Sequence, residues 1–200
     1  MTLSSFSSLS LFPEPVVTFN IRSPSRTLNA LSRCRQFLIH ILDVSPEGAR
    51  IADLFTKGNR IKERMDHSPF SEGVRSGDFR VVSEPGVVGP EREEVALPRL
   101  QGAGVRRVLK CEILKGITGP GGHPIKDTLG ELHAPKGMIR VGDHILVLAK
   151  VLEILDCNEQ DSEGQGGYGL SYVDGKYRHV GEPISLRVED TKATMHKPRR

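Results

Sequence analysis

Hydroxyls and apolar side chains alternate through the first stretch of the chain. From Thr2 to Leu11, Ser4, Ser5, Ser7, Ser8 and Ser10 are threaded with Leu3, Phe6, Leu9 and Leu11, a pattern that predicts a strand with one apolar face. Pro13 and Pro15 end it, because proline removes a ladder donor and restricts the residue before it. Val16 to Ile21, VVTFNI, is β-branched and apolar enough for a second strand. In SPSRTLNALSRCRQF the period lengthens. Ser23 or Ser25 can cap a helix there, Pro24 fits its first turn, and Leu28, Leu31 and Cys34 are spaced for one buried face. Phe37 to Leu42 is a short apolar run that reads as a buried strand, which makes His40 a core histidine. Ser45-Pro46 opens a second helix with Ile51, Ala52, Leu54 and Phe55 as its stripe and Gly58 as its stop.

From Arg60 to about Gly104 the pattern breaks into charge, Pro and Gly, with apolar residues only in small groups. This predicts a long excursion with one or two short strands. Alternation returns at Arg106 to Leu114, RRVLKCEIL. The Gly-Pro-rich ITGPGGHPIKDTLGEL follows as turn chemistry, and its glycines do not link a strand to a helix as a phosphate loop would. Ile139 to Leu155 is the strongest strand signal, a Gly-Asp turn followed by an apolar run, and predicts a central strand. Tyr168 to Tyr172, Asp174-Gly175 and Tyr177 to Val180 read as a hairpin. Strands adjacent in sequence, with two or three short helices, predict a mainly β, antiparallel barrel or sandwich and disfavour a dinucleotide-binding parallel sheet.

Composition narrows the class. Two hundred residues with 37% apolar content can bury one sizeable core, so one domain is expected. Aromatics are 5% and Trp is absent, which argues against a stacking platform for single-stranded nucleic acid. The formal charge of +3 owes much to Lys197, Arg199 and Arg200 at the end of the chain, a tail expected to be solvated. Cys34, Cys111 and Cys157 are odd in number and far apart, which implies a reducing compartment, the cytoplasm first. No apolar run reaches bilayer length, and no presequence pattern precedes the first strand; a mitochondrial location stays open if the chain continues upstream.

Candidate chemistry gathers at the beginning. Hydroxyls at Ser4, Ser5, Ser8 and Ser10, a cation at Arg22 or Arg26, and Ser25 with Thr27 at a helix start suit a phosphate. The alternative is an exposed serine-rich edge and a simple cap. Asp143-His144 is either turn chemistry or an imidazole at a pocket mouth. There is no GxSxG or HExxH, and His123, His133 and His144 are too scattered for a zinc site.

The ordered segments TLSSFSSLSLFPEPVVTFNI, PSRTLNAL, FLIHIL and ARIADLFTKGN, with VLKCEIL, GDHILVLAKVLEIL and GLSYVDGKYRHVG later, resemble the flavin reductase-like domain family, the FMN-binding split barrels. The likeness covers most of 1–60 and 105–181 and leaves 60–104 as an insertion. It implies a single split-barrel domain over 1–191 with a basic tail at 192–200, a homodimer, FMN or FAD as cofactor, and hydride transfer from NADH or NADPH to the flavin. It places Thr2, Ser4, Ser5 and Phe6 along the isoalloxazine edge, and Ser8 and Ser10 with Ser25, Arg26 and Thr27 on the phosphate. No catalytic residue is assigned outright; His144 and the hairpin around Tyr177 and His179 would lie near the nicotinamide or the partner's flavin. Family members usually carry a PVVVVT-like strand before the segment matching TLSSF. Here only Met1 precedes it, so the chain is expected to begin inside the fold, and a flavin-binding or interaction module without turnover is the competing expectation.

Overall fold

The computed structural model describes residues 1–3, 5–57, 68–88, 93–115, 137–156, 169–173 and 175–178. In chain order the elements are β1 (Ser7–Ser10), β2 (Val16–Arg22), α1 (Arg26–Arg33), β3 (Gln36–Leu42), α2 (Pro46–Lys57), α3 (Pro69–Ser76), β4 (Arg80–Val88), β5 (Glu93–Gln101), β6 (Val105–Ile113), β7 (Met138–Val141), β8 (His144–Asp156), β9 (Ser171–Val173) and β10 (Lys176–Arg178). The main sheet runs β1-β2-β8-β6-β3 with β7 also paired to β8, and every pairing in it is antiparallel. The strand expected to be central is central: β8 joins β2, β6 and β7. The opening strand is shorter than Thr2 to Leu11, covering only Ser7–Ser10.

Val17, Phe19 and Ile21 of β2 and Ile145, Val147 and Ala149 of β8 face one side, the period-two consequence of the pleat. With Leu31 of α1, Ile39, Cys111, Ile113 and Met138 they form one buried cluster. A second cluster joins Ile51 of α2, Phe79, Leu100, Val105, Val108 and Leu155. One core was expected, and the described residues form two buried clusters. The register shift in the β3–β6 ladder between Ile41 and Leu42 accounts for part of this, because it lets Val105 and Val108 of β6 serve the same cluster.

The segment between 60 and 104 corrects the expected excursion with short strands. Its described part holds a helix, α3, and an antiparallel hairpin of two nine-residue strands. Ser68 caps α3, its hydroxyl accepting from the Ser71 amide, and Gly77 ends it at φ 78°. Phe79 then folds back over Gly73, where an added Cβ would come within 2.1 Å of the ring. Phe79 and the hairpin's Leu97 and Leu100 are buried, so this segment contributes core.

Side chains of β3 bind the hairpin. The Gln36 Oε1 accepts from the Val87 amide at 3.0 Å, and the His40 Nε2 accepts from the Leu100 amide at 2.9 Å. His40 is therefore the structural histidine the sequence suggested. Burial, with the nearby Arg99 charge, pushes its pKa from 6.5 down to about 4. Within the hairpin, Glu84 of β4 lies 3.4 Å from Arg99 of β5, and it is 4.0 Å from Lys110 of β6, all three side chains largely covered.

Helix α2 begins as expected at Ser45-Pro46, with the Ser45 hydroxyl accepting from the Gly48 amide; Gly58 lies outside the described residues. The hairpin β9–β10 also forms, with Gly175 at φ 73° and the Tyr172 and Tyr177 rings 5.2 Å apart. No helix among the described residues is long and apolar enough to cross a membrane. Cys34 and Cys111 are free thiols, and no group of His, Cys, Asp and Glu among the described residues could hold a metal.

Candidate functional site

Strand β2 ends in Arg22, and its register with β8 sets Arg22 opposite His144. The turn between β7 and β8 passes through Gly142 at φ 60°, a left-handed conformation that favours glycine, and leaves Asp143 beside both residues. The Asp143 Oδ2 accepts from the Arg22 Nε at 3.1 Å, and its Oδ1 lies 2.7 Å from the His144 Nδ1. The Asp143 carbonyl accepts from the Ser23 amide at 2.7 Å, tying this corner to the chain that enters α1. The hydrogen bond from His144, helped by the charges of His144 and Arg22, holds the Asp143 carboxyl below the usual carboxylate range. An ionised carboxylate only accepts, so Nδ1 of His144 carries the proton in this contact.

Ser25 caps α1, its Oγ accepting from the Leu28 amide at 3.0 Å. This corrects the placement of Pro24: it precedes the cap instead of sitting in the first turn, because the Ser25–Leu28 bond fixes the helix start at Arg26. The cap satisfies Leu28, and the Asn29 amide bonds the Ser25 carbonyl. The amides of Arg26 and Thr27 then have no acceptor within the helix. Arg26 is exposed and Thr27 half-buried. The corner of Arg22, Asp143 and His144 is joined through Ser23 to the chain that enters α1, two residues before the Ser25 cap.

The other sequence candidates divide. Ser5 lies beside β2, its hydroxyl accepting from the Asn20 amide at 3.0 Å, two residues before Arg22. Thr2 reaches α2: Thr56 gives its proton to the Ala52 carbonyl at 2.9 Å, so Thr2 is the donor in its 2.8 Å contact with Thr56. Phe6 is exposed. Ser8 pairs with Val17 and Ser10 with Val16, at the far end of β2 from Arg22. Six strand steps at roughly 3.3 Å each separate Val16 from Arg22, about 20 Å. The structure does not bring Ser8 and Ser10 together with Ser25, Arg26 and Thr27, and the Ser10 hydroxyl instead donates to the Phe12 carbonyl. Ser4 and His179 lie outside the described residues, as do His123, His133 and Cys157.

Sequence reasoning missed how Asp143 joins Arg22 to His144. The signal was the match of a strand ending in Arg22 with one starting at His144, which becomes visible once both are paired. It also missed Thr18, whose Oγ1 is buried with no hydrogen-bond partner.

These groups fit a phosphorylated cofactor. Two amides without an acceptor inside the helix and the guanidinium groups of Arg22 and Arg26 flank the Ser23–Ser25 segment, and His144 lies opposite Arg22 in the sheet register, adding a donor. Comparison with known proteins places the chain in a class to which this suits. The profile of the flavin reductase like domain family matches residues 1–181, and the chain belongs to that family. Its fold is that of solved flavin reductases, an antiparallel split barrel, here with three short helices among the described residues. The NADH:FAD oxidoreductase SgcE6 of Streptomyces globisporus C-1027 superposes with a TM-score of 0.52 at 18% identity, over 91% of this chain and 78% of that one. SgcE6 has also been solved with NAD and FAD fragments. The flavin reductase HpaC, complexed with NADP+, gives 0.51 at 17% identity over 90% and 80%. BorF, the flavin reductase component of a bacterial two-component tryptophan halogenase, gives 0.52 at 16% identity over 92% and 82%.

Proposed function

We propose that this chain is an NAD(P)H-dependent flavin reductase-type oxidoreductase that binds FMN or FAD. Membership of the flavin reductase like domain family over 1–181 carries the reading, and the donors at the start of α1 support it. In this reading Arg22 and Arg26 hold the flavin phosphate with Thr27 and the first amides of α1, and Ser25 fixes those amides in place. Thr2, Ser4, Ser5 and Phe6 line the ring edge. Ser8 and Ser10 take no part in the phosphate contact.

A bound flavin supplies the ring that accepts a hydride from the nicotinamide. The chain's own residues bind and orient, and no side chain is required to move a proton in the central step. A cation near the ring or its phosphate stabilises negative charge on the cofactor. We further propose one domain over 1–191, a solvated tail at 192–200 and a homodimer, with His179 near the nicotinamide or the partner's flavin and His144, paired opposite Arg22, at the flavin phosphate instead of the nicotinamide.

The test is purification of the full chain with added FMN or FAD, followed by flavin absorbance and NADH or NADPH oxidation. A flavin spectrum with flavin-dependent oxidation is expected. A colourless protein that binds neither flavin at micromolar concentration would overturn the reading. Bound flavin that neither nicotinamide reduces would assign the chain to flavin binding without turnover.

A further inference from the structure

We propose that Asp143 is a positioning residue that turns Arg22 and His144 into a phosphate-selective pair. This deepens the flavin reading above and rests on it. The geometry is specific about atoms. Asp143 takes the Arg22 Nε with one carboxylate oxygen and the His144 Nδ1 with the other. A guanidinium has five N–H donors, and the bond through Nε leaves the two terminal nitrogens, the planar fork that matches a phosphate. Neither those nitrogens nor the His144 Nε2 has another partner among the described residues. The Arg22 side chain is 79% exposed and that of His144 46%, so both offer their remaining atoms to solvent.

Without the carboxylate, a long arginine at a strand end samples many rotamers, and fixing it on a ligand costs that freedom. The Asp143 carboxylate meets part of this cost in advance. It meets the guanidinium at Nε and the imidazole at Nδ1, which leaves the two terminal nitrogens and Nε2 for a ligand. The neutral ring end of a flavin has no use for this pair. Asp143 therefore acts on the phosphate and not on flavin binding as a whole.

The experiment compares FMN with riboflavin, which lacks the phosphate, by quenching of flavin fluorescence on the full chain and its D143A and D143E variants. FMN affinity should fall about tenfold in Asp143→Ala while riboflavin stays within about twofold, the scale of one charge-assisted hydrogen bond. Asp143→Glu, which keeps a carboxylate, should recover part of the loss. An equal loss for both flavins would overturn the proposal, making Asp143 a brace for the β7–β8 turn. FMN binding that is unchanged or tighter would also overturn it, making the carboxylate a competitor of the phosphate. A wild-type chain that binds neither flavin removes the parent reading as well, and is told apart by that control.

Discussion

Among the described residues, arginine, a carboxylate and a histidine occur together once in the open and once where a hairpin meets the main sheet. At the end of β2, Arg22, Asp143 and His144 form exposed contacts whose remaining donors face water. Where β4 and β5 meet β3 and β6, Glu84, Arg99, Lys110 and His40 are largely covered, and His40 and Gln36 accept from backbone amides of the hairpin. The residue types are the same and the roles are opposite. A covered polar group must be satisfied by the protein, because an unmade bond there is costly, and it is then unavailable to a ligand. An exposed one contributes little to stability and can be displaced or shared. The covered set holds a layer in place, and the open set is where binding belongs.

Breaking the hairpin's packing should have the largest effect. Phe79→Ala removes a buried ring that covers Gly73 and packs beside Phe55, and should cost about 3–5 kcal/mol in urea unfolding. Acidification should come next. The folded chain holds His40 neutral, whereas the unfolded chain takes up the proton near pH 6.5, so stability falls as pH drops from 6.5 towards about 4. The full change is about 3 kcal/mol. Carboxylates such as Asp143 and Asp78, whose folded pKa values are depressed, lose their contribution only at still lower pH. Unfolding curves across this range should therefore show a slope that His40→Gln flattens, and an unchanged slope in that variant would remove His40 as its source. The smallest effect is expected in the open cluster: Arg22→Ala should change stability by no more than about 1 kcal/mol while weakening FMN binding. A loss as large as that of Phe79→Ala would erase the distinction between the two regions.

Much of the sheet was legible because its strands carry their own signal. Val16 to Ile21 and Ile145 to Leu155 are apolar and β-branched enough that packing only confirms local preference. Ser25 and Ser45 were legible as caps because a hydroxyl beside a proline has few other uses. Helix α3 was not, although Ser68-Pro69 repeats the Ser45-Pro46 signal. Its most buried position is Gly73, under Phe79, and its two large apolar side chains, Phe70 and Val74, stay exposed even though Phe70 meets Phe55, so the apolar stripe is too short to announce a helix. The phosphate candidate was half legible. Ser25, Arg26 and Thr27 are neighbours in sequence, but the contact between Arg22 and Asp143 spans 121 positions and exists only through the β2–β8 pairing. Grouping Ser8 and Ser10 with them failed for a related reason: closeness in sequence did not survive the reversal of β1 against β2.

That pairing has a consequence for synthesis. Strand β2 cannot find β8 until the ribosome has made some 121 further residues, a delay of roughly 6–24 s at 5–20 residues per second. Through that interval Val17, Phe19 and Ile21 have no sheet partner on the β8 side, and the growing chain carries an apolar strand open to other chains. The corner where Arg22 meets Asp143 is therefore among the last places to form, and slower emergence of β8 should reduce soluble yield before it touches the finished protein.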